Sequence, residues 1–179
     1  QDRHDLVSTL LMKALNGLGI LPVNHFQKGM ASYVDKISGQ TLAKKYKTKN
    51  KGCFNCNINC SRYYVTKEVE GEGPEYETLC SFSSRLGSQN LEFALKMNHY
   101  LNRMGLDSLS TGETIGWAME CVEKGIFNKN DFDGLDFTWG NIETIEKILG
   151  LIINQEGVGA DFAKGTRYLA NKMGKGSEK

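Results

Sequence analysis

The sequence predicts an all-α domain with a small extended or β-hairpin insert. Apolar residues recur every three or four positions in most segments, which is the spacing of an amphipathic helix. Only residues 62–69 alternate apolar and polar side chains with β-branched and aromatic members, and this indicates one strand or hairpin arm. The chain has 179 residues, which is enough for a domain with its own hydrophobic core.

Turn and capping residues set the expected helix boundaries. Ser38 is a suitable N-cap for a short helix, and Asn141 is one for a later helix. Gly105 is expected to end the helix before it. Ser110 and Glu113 have the spacing of a capping box, which predicts a helix start at that point. The predicted helices are 5–16, 38–46, 75–87, 90–104, 110–125, 141–152 and 162–173.

Charge and composition exclude several classes of protein. The chain has 22 Lys and Arg against 21 Asp and Glu, so it offers no broad positive surface for nucleic acid or anionic lipid. The lysines between residues 44 and 51 are interpreted as a solvated face, with attraction of an acidic redox partner as the alternative. His4 and His25 have no partner pattern and are expected to be exposed.

The compartment and the chain ends follow from similar arguments. No apolar run approaches the roughly 18 residues of a membrane span, and no secretory signal begins the chain, so we expect a cytoplasmic protein. Five cysteines are too few for a secreted disulfide scaffold. Because the chain starts at Gln1 and its tail beyond residue 173 lacks an apolar residue, we expect a piece of a longer protein.

Three cysteines form a C-x2-C-x3-C run and are the candidate metal ligands. Cys53, Cys56 and Cys60 have the spacing with which a tight turn directs several thiolates at one iron–sulfur cluster. Zinc is the competing metal, although zinc sites usually draw a second ligand pair from elsewhere. The less favoured alternative is that the three cysteines are simply small hydrophobic side chains in the core. The fourth ligand is either Cys80 or Cys121, or a residue outside the chain.

Longer motifs make the sequence resemble the tungsten- and molybdenum-containing aldehyde ferredoxin oxidoreductase family. The resemblance extends over almost the whole chain. It implies the helical second domain of that family over residues 1–130 and the start of its third domain over 131–179. The motifs are Gly52-Cys53-Phe54-Asn55-Cys56 continuing to Cys60, Glu72-Gly73-Pro74-Glu75-Tyr76-Glu77-Thr78-Leu79, Asn98-His99, Met104-Gly105-Leu106-Asp107-Ser108-Leu109-Ser110-Thr111-Gly112, Asp133-Gly134-Leu135-Asp136 with Trp139-Gly140-Asn141, and Ala14-Leu15-Asn16 with Leu21-Pro22 and Asn24.

The resemblance implies an activity and a set of cofactors. The parent enzyme would oxidise aldehydes to carboxylic acids at a tungsten (or molybdenum) bis-pterin, and it would pass electrons through a [4Fe-4S] cluster to ferredoxin. Cys53, Cys56 and Cys60 would be cluster ligands, and the fourth would come from a later domain. The other implied partners are the aldehyde, the remaining domains and a second copy in a homodimer. The alternative is a stand-alone iron–sulfur or zinc module without catalysis of its own.

The resemblance also assigns catalytic and pterin-binding residues. Glu77 matches the acid that the family places beside the metal, and we expect it to be the general base, with Tyr76 orienting the carbonyl. Without the resemblance, the sequence favours a different interpretation, in which Glu75 and Glu77 are acids in the first turn of a helix and are favoured by its dipole. The residues matching the pterin-binding turn are Asn102, Gly105, Leu106, Asp107 and Ser108. The family usually has Asp where Asn102 stands, which leaves the role of that residue in doubt.

Two further segments are interpreted as structural. Residues 131–136 repeat the pterin-turn pattern, but their context favours a plain turn. Some family members bind an iron between subunits through a Glu-x-x-His motif, and here Lys96 stands at the position of the glutamate. An ammonium cannot ligate a metal, so we expect no such iron, with His99 in the core or on the surface and Glu92 paired with Lys96.

Overall fold

The structure, a computed structural model, describes residues 7–57 and 61–178. It is mostly helical with one small sheet, as the sequence predicts. Short 3-10 helices occupy Val7–Leu10, Ser84–Leu86 and Lys129–Phe132. The α-helices in the described residues are α1 (Leu11–Gly17), α2 (Val34–Ile37), α3 (Gly39–Lys45), α4 (Tyr76–Ser81), α5 (Leu91–Met104), α6 (Ser108–Glu123), α7 (Ile142–Asn154), α8 (Gly159–Phe162) and α9 (Thr166–Met173).

The sheet is antiparallel and follows chain order. Its strands are β1 (Lys47–Lys51), β2 (Ser61–Val65) and β3 (Glu70–Glu72), with β2 in the centre. The predicted hairpin is therefore present as β2 and β3. Strand β1 was missed because its alternating lysines resemble a solvated segment. It is an edge strand with four exposed residues, and lysines are common on such edges because they discourage further strand pairing.

The sheet is attached to α5 by buried polar contacts. The Tyr64 hydroxyl, fully buried, donates to the Leu95 carbonyl oxygen at 2.9 Å. The Asn98 amide donates to the Tyr64 oxygen at 3.1 Å and to the Glu72 carbonyl at 2.9 Å. Hydrogen bonds of this kind are costly to break in a buried setting, so they fix the sheet against the helix.

The hydrophobic core lies between the long helices α5, α6 and α7. Leu95, Ile115 and Ile145 are completely buried, each on a different one of these helices. A run of phenylalanine rings continues the core toward the end of the chain, with centroids 4.9 to 5.7 Å apart for successive rings. Its members are Phe127, Phe132, Phe137 and Phe162.

The helix boundaries confirm several predictions. The Ser38 hydroxyl accepts from the Thr41 amide, and the Asn141 side chain accepts from the Thr144 amide. Gly105 ends α5 in the left-handed region at φ 67°.

Three helix predictions were wrong. The helix predicted over residues 75–87 ends at Ser81, and Ser84–Leu86 form a separate 3-10 helix. The predicted capping box is absent, because α6 begins three residues earlier than expected and Asp107 is its N-cap. Its carboxylate accepts from the Ser110 amide, so Ser110 is a donor there. The predicted last helix is divided into α8 and α9, with Gly165 at φ 85° between them. A glycine in that conformation interrupts the helical dihedrals.

The charged residue Lys96 also has other partners than expected. Its ammonium lies 3.0 Å from Glu68 and 2.9 Å from Glu146, instead of pairing with Glu92. The Glu92 carboxylate accepts a hydrogen bond from the Lys67 amide. His99 lies on α5 and its Nδ1 is 2.9 Å from the Glu70 carbonyl oxygen. Across the described ranges, none of the helices has both the length and the apolar character needed to cross a membrane.

Candidate functional site

The cysteine loop is the connection between β1 and β2. Cys53 is exposed and Cys56 is half-buried, and both have free thiols. The Cys56 amide donates to the Cys53 carbonyl at 3.1 Å, and Asn55 between them adopts φ 57°, so both thiols belong to one tight turn. Cys60, the third predicted ligand, lies outside the described residues. Within the described residues, no group of three or more His, Cys, Asp or Glu side chains could hold a metal.

The strand that follows the cysteine loop, β2, is hydrogen-bonded to the residues just before the predicted catalytic helix α4. Arg62 on β2 is buried, and its guanidinium donates to the Pro74 carbonyl. Its own carbonyl accepts from the Gly73 amide at 2.9 Å. These bonds hold residues 73–74 against β2, immediately before α4. The strand that follows the cysteine loop therefore holds the N-terminal end of α4 in place.

The acids at the start of α4 have different surroundings. Glu75, the N-cap residue, accepts a hydrogen bond from the Ser8 hydroxyl, and the same Ser8 oxygen accepts from the Tyr76 amide at 3.0 Å. Glu77 lies in the first turn and is exposed on the surface of the chain. A carboxylate there is favoured by the helix dipole and remains accessible to a bound molecule.

Tyr76 is half-buried on α4, one helical turn before the buried thiol of Cys80. Burial and the neighbouring Cys80 raise the pKa of Tyr76, so its phenol stays protonated at neutral pH. Burial likewise raises the pKa of Cys80, whose sulfur lies 3.3 Å from the Ser84 hydroxyl. Cys80 therefore has the environment of an unreactive core thiol.

The predicted pterin-binding turn joins α5 to α6. Gly105 is exposed, and a Cβ built on it would meet no atom within 4 Å, so the turn is open to a ligand. The Ser110 amide donates to the exposed Asp107 carboxylate at 2.6 Å, and hydrogen bonds from Ser110 hold the pKa of Asp107 below its ordinary value. Asn102 is exposed, while Leu106 is half-buried.

The turn and α4 are adjacent. The hydroxyls of Thr78 and Ser108 lie 2.7 Å apart, which joins the residue after Glu77 to the last residue of the predicted turn. Farther along, α4 and α6 approach closely at Gly112, where an added Cβ would be 2.9 Å from the Ser81 Cβ. The structure therefore places α4, the helix that carries Glu77, in contact with the predicted turn.

Clefts are present at and away from the predicted turn. Leu106 and Asp107 line an open cleft of about 180 Å³, together with residues of α6, α7 and α8. A larger cleft of about 600 Å³ lies near α3 and the start of α5 and includes Lys45 and Trp139. The larger cleft contains none of the predicted site residues, so volume alone would have given a different location.

The turn at residues 131–136 forms local bonds. Asp131 accepts from the Asn128 amide at 2.8 Å and pairs with Lys175 at 3.0 Å. Asp133 accepts from the Val158 amide at 2.7 Å. These contacts agree with the interpretation of this segment as a structural turn.

His25 is an ion-pair centre that sequence reasoning missed. It was expected to be exposed, but its side chain is 16% accessible and lies between two glutamates of α6. Its Nε2 is 3.0 Å from Glu113, and its Nδ1 contacts Glu120. Arg85 also pairs with Glu113, at 2.9 Å. The seven-residue separation of the glutamates places them on one helix face, but nothing near His25 in sequence reveals the pairing.

The two carboxylates determine the charge of His25. Burial opposes the charged imidazole, but the hydrogen bonds and charges of Glu113 and Glu120 outweigh it and raise the pKa of His25 above 6.5. Burial acts against ionisation of Glu113 as well, and His25 and Arg85 more than compensate, which lowers its pKa. The cluster therefore favours an imidazolium between two carboxylates.

The fold and the thiol-bearing turn together define a helical domain with a candidate metal centre and a candidate ligand-binding turn. Residues 2–179 match the family described as aldehyde ferredoxin oxidoreductase, domains 2 and 3. The chain belongs to this family of oxidoreductases, as its resemblance implied.

Individual relatives agree with this assignment. The chain is 37% identical over 169 residues to the tungsten-containing aldehyde ferredoxin oxidoreductase of Pyrococcus furiosus, with 93% of the chain and 28% of the relative covered. It is 35% identical over 170 residues to the enzyme of the same name from Pyrococcus horikoshii, with the same coverage. The chain thus spans little more than a quarter of the length of these relatives.

More distant similarity extends to other activities. A Pyrococcus furiosus protein named aliphatic sulfonate oxidoreductase, WOR-like subunit, is 30% identical over 145 residues, covering 78% of the chain and 22% of that protein. Among solved structures, the BamBC active-site complex of benzoyl coenzyme A reductase with 1,5-dienoyl-CoA matches with a TM-score of 0.79. That match covers 98% of the chain and 26% of the solved chain at 24% identity, and it supports the fold alone.

Proposed function

We propose that this chain is part of a tungsten enzyme that oxidises aldehydes to carboxylic acids and reduces ferredoxin through a [4Fe-4S] cluster. In this proposal, residues 1–130 are the second domain of the enzyme and residues 131–179 begin the third. Family membership supports the reaction class. The observation that carries the assignment to this site is the Thr78–Ser108 contact, because it joins the helix of the proposed base to the proposed pterin turn.

The donor atoms fit the proposed cluster. Cys53 and Cys56 present two free thiols on one turn, and thiolates are the ligands that iron–sulfur clusters use. Cys60 would be the third ligand, and a later domain of the enzyme would supply the fourth. The bound cluster would supply one-electron transfer. Buried Cys80 and Cys121 would remain core thiols, since burial raises the pKa of each, that of Cys121 to about 11.

The turn between α5 and α6 fits a polar, ring-shaped cofactor. The open space around Gly105 allows a ligand to approach the backbone closely. Asp107 uses one oxygen as the helix cap, and its exposed carboxylate has further lone pairs for ring N–H donors. Asn102, Leu106 and Ser108 would complete the contact. The bound tungsten (or molybdenum) bis-pterin would supply the two-electron oxidation.

Glu77 would act as the proton acceptor. Conversion of an aldehyde and water to a carboxylic acid releases two electrons and two protons, so a base must stand beside the substrate carbon. Glu77 is exposed on α4, the helix that contacts the turn, whereas the carboxylate of Glu75 accepts a hydrogen bond from the Ser8 hydroxyl. Tyr76, whose raised pKa keeps its phenol protonated, would orient the substrate carbonyl.

The test is the Glu77→Gln variant of the complete enzyme, with Glu75→Gln as the matched control. General-base removal should lower aldehyde turnover by about 10²- to 10⁴-fold. Tungsten and iron contents should stay unchanged. The control removes an acid two residues away on the same helix end and should retain turnover near that of the unaltered enzyme. Near-normal turnover of Glu77→Gln with full metal content would refute the assignment.

A further inference from the structure

The near-zero net charge of the chain conceals a strongly positive segment. Six of its 22 basic residues and none of its 21 acidic residues lie between positions 44 and 62. The remainder of the chain therefore contains 16 basic and 21 acidic residues. This segment includes β1 and the cysteine loop, so the local excess of positive charge coincides with the proposed electron-transfer centre.

Two lysines of β1, Lys49 and Lys51, lie on one face of the sheet, whereas a bulge places Lys47 opposite Tyr64. The ammonium groups of Lys49 and Lys51 lie 5.3 and 5.9 Å from the centre of the Tyr63 ring on β2. Lys51 also pairs with Glu72 at 2.7 Å, which neutralises part of its charge. Since β1 is an edge strand, no other strand among residues 7–57 and 61–178 pairs with its outer side. We call the exposed residues Lys44, Lys49, Lys51 and Phe54 of this segment the lysine surface.

Phe54 follows Lys51 by three residues and adds an exposed apolar side chain to this segment. It stands in the turn between Cys53 and Cys56, and its side chain is fully exposed, at 102% of the reference area. A fully exposed aromatic ring beside a set of charges has the composition of a transient protein interface, with an apolar core and a polar rim. In the sequence, Phe54 directly follows Cys53 and precedes Cys56 by two residues. A partner that covered Phe54 would therefore lie close to any cluster bound there.

We propose that the lysine surface is the docking site for the electron acceptor, a small acidic protein of the ferredoxin type. The inference rests on the function proposed above. Charge complementarity commits it to an acidic partner, because opposite charges accelerate encounter and fix orientation. The location commits it to a redox partner, because electron transfer requires the two cofactors to approach closely. Exposed lysines of this kind contribute through a screened field, so binding should weaken as salt is added.

The test compares two double variants of the complete enzyme with a purified acidic ferredoxin. Lys44→Glu/Lys49→Glu reverses two charges of the lysine surface. Lys129→Glu/Lys147→Glu makes the same change at exposed lysines elsewhere, one before α7 and one on it. Binding is measured by isothermal titration calorimetry at low and physiological salt. Turnover is measured with ferredoxin and with a viologen dye as acceptor.

We expect the first variant to raise the Kd for ferredoxin about tenfold at low salt, with a smaller ratio at physiological salt. Its KM for ferredoxin should rise similarly, while viologen-linked aldehyde oxidation stays unchanged. The control variant should match the unaltered enzyme. Equal Kd values for the two variants would overturn the docking proposal. Viologen-linked turnover measures aldehyde oxidation without ferredoxin. If the unaltered enzyme oxidised no aldehyde with viologen, the result would count against the proposed function and not against the docking site.

Discussion

His25 provides the sharpest test of the electrostatic reasoning. Its imidazole lies between Glu113 and Glu120. The exposed fractions of the side chains are 16% for His25, 35% for Glu113 and 19% for Glu120, so all three are largely buried. The His25→Gln substitution removes the positive charge but keeps a hydrogen-bonding side chain. Hydrogen bonds to charged groups contribute about 1.5–3 kcal/mol each, and partial exposure reduces this. We expect a loss of about 2 kcal/mol in the free energy of unfolding at pH 5.5.

The pH dependence of that loss has a defined sign. His25 has a raised pKa, so its contribution is complete below about pH 6.5 and is lost as the pH rises through the folded-state pKa. The lowered pKa values of Glu113 and Glu120 make their contribution present above about pH 4.5 and lost at lower pH. The difference between the two proteins should therefore be largest between these limits.

The assay is urea unfolding of the unaltered chain and of His25→Gln at pH 5.5 and pH 9, followed by circular dichroism. The destabilisation should be about 2 kcal/mol at pH 5.5 and smaller at pH 9, because the higher pH favours the neutral imidazole in the native protein. A loss that is equal at both values, or larger at pH 9, would refute the charged-imidazole explanation. Lys129→Gln, which changes an exposed lysine away from the cluster, serves as the control.

Two further predictions concern packing and the proposed cluster. Gly112→Val should lower the free energy of unfolding by about 1–3 kcal/mol, because its Cβ would be 2.9 Å from a side chain of α4. Gly150→Ala, at a helix position with open space, should stabilise slightly, and thermal unfolding of both variants checks the contrast. Cys53→Ser should sharply reduce the iron and sulfide bound by the anaerobically purified complete enzyme, whereas Cys121→Ser should not. Equal iron contents in these two variants would count against the ligand assignment.

Local signals predicted much of the fold. Ser38 and Asn141 cap their helices as expected because the capping bond is made within three residues, and Gly105 ends α5 because the left-handed conformation is a property of the residue itself. The capping-box prediction at Ser110 failed because Asp107 competes for the same amide and begins the helix earlier. Local patterns cannot rank two good caps that lie so close together.

Features that depend on distant residues could not be predicted from the sequence. Strand β1 exists because it pairs with β2 across the cysteine loop, and its lysines give no hydrophobic alternation to reveal it. The pairing of His25 with Glu113 joins residues almost ninety positions apart. The contact between Thr78 and Ser108 is of the same kind, and only the resemblance to a family placed α4 and the turn in one site.

The contacts between the phenylalanine rings affect how the chain unfolds. Phe127 and Phe132 are in edge contact at 5.7 Å, and the stack continues to Phe162, so the packing passes without a break through position 130. A division of the enzyme into a second and a third domain at that position would not separate two folding units. Cutting the chain there would expose a cross-section of aromatic rings to water. The two parts should instead unfold together, in a single cooperative transition.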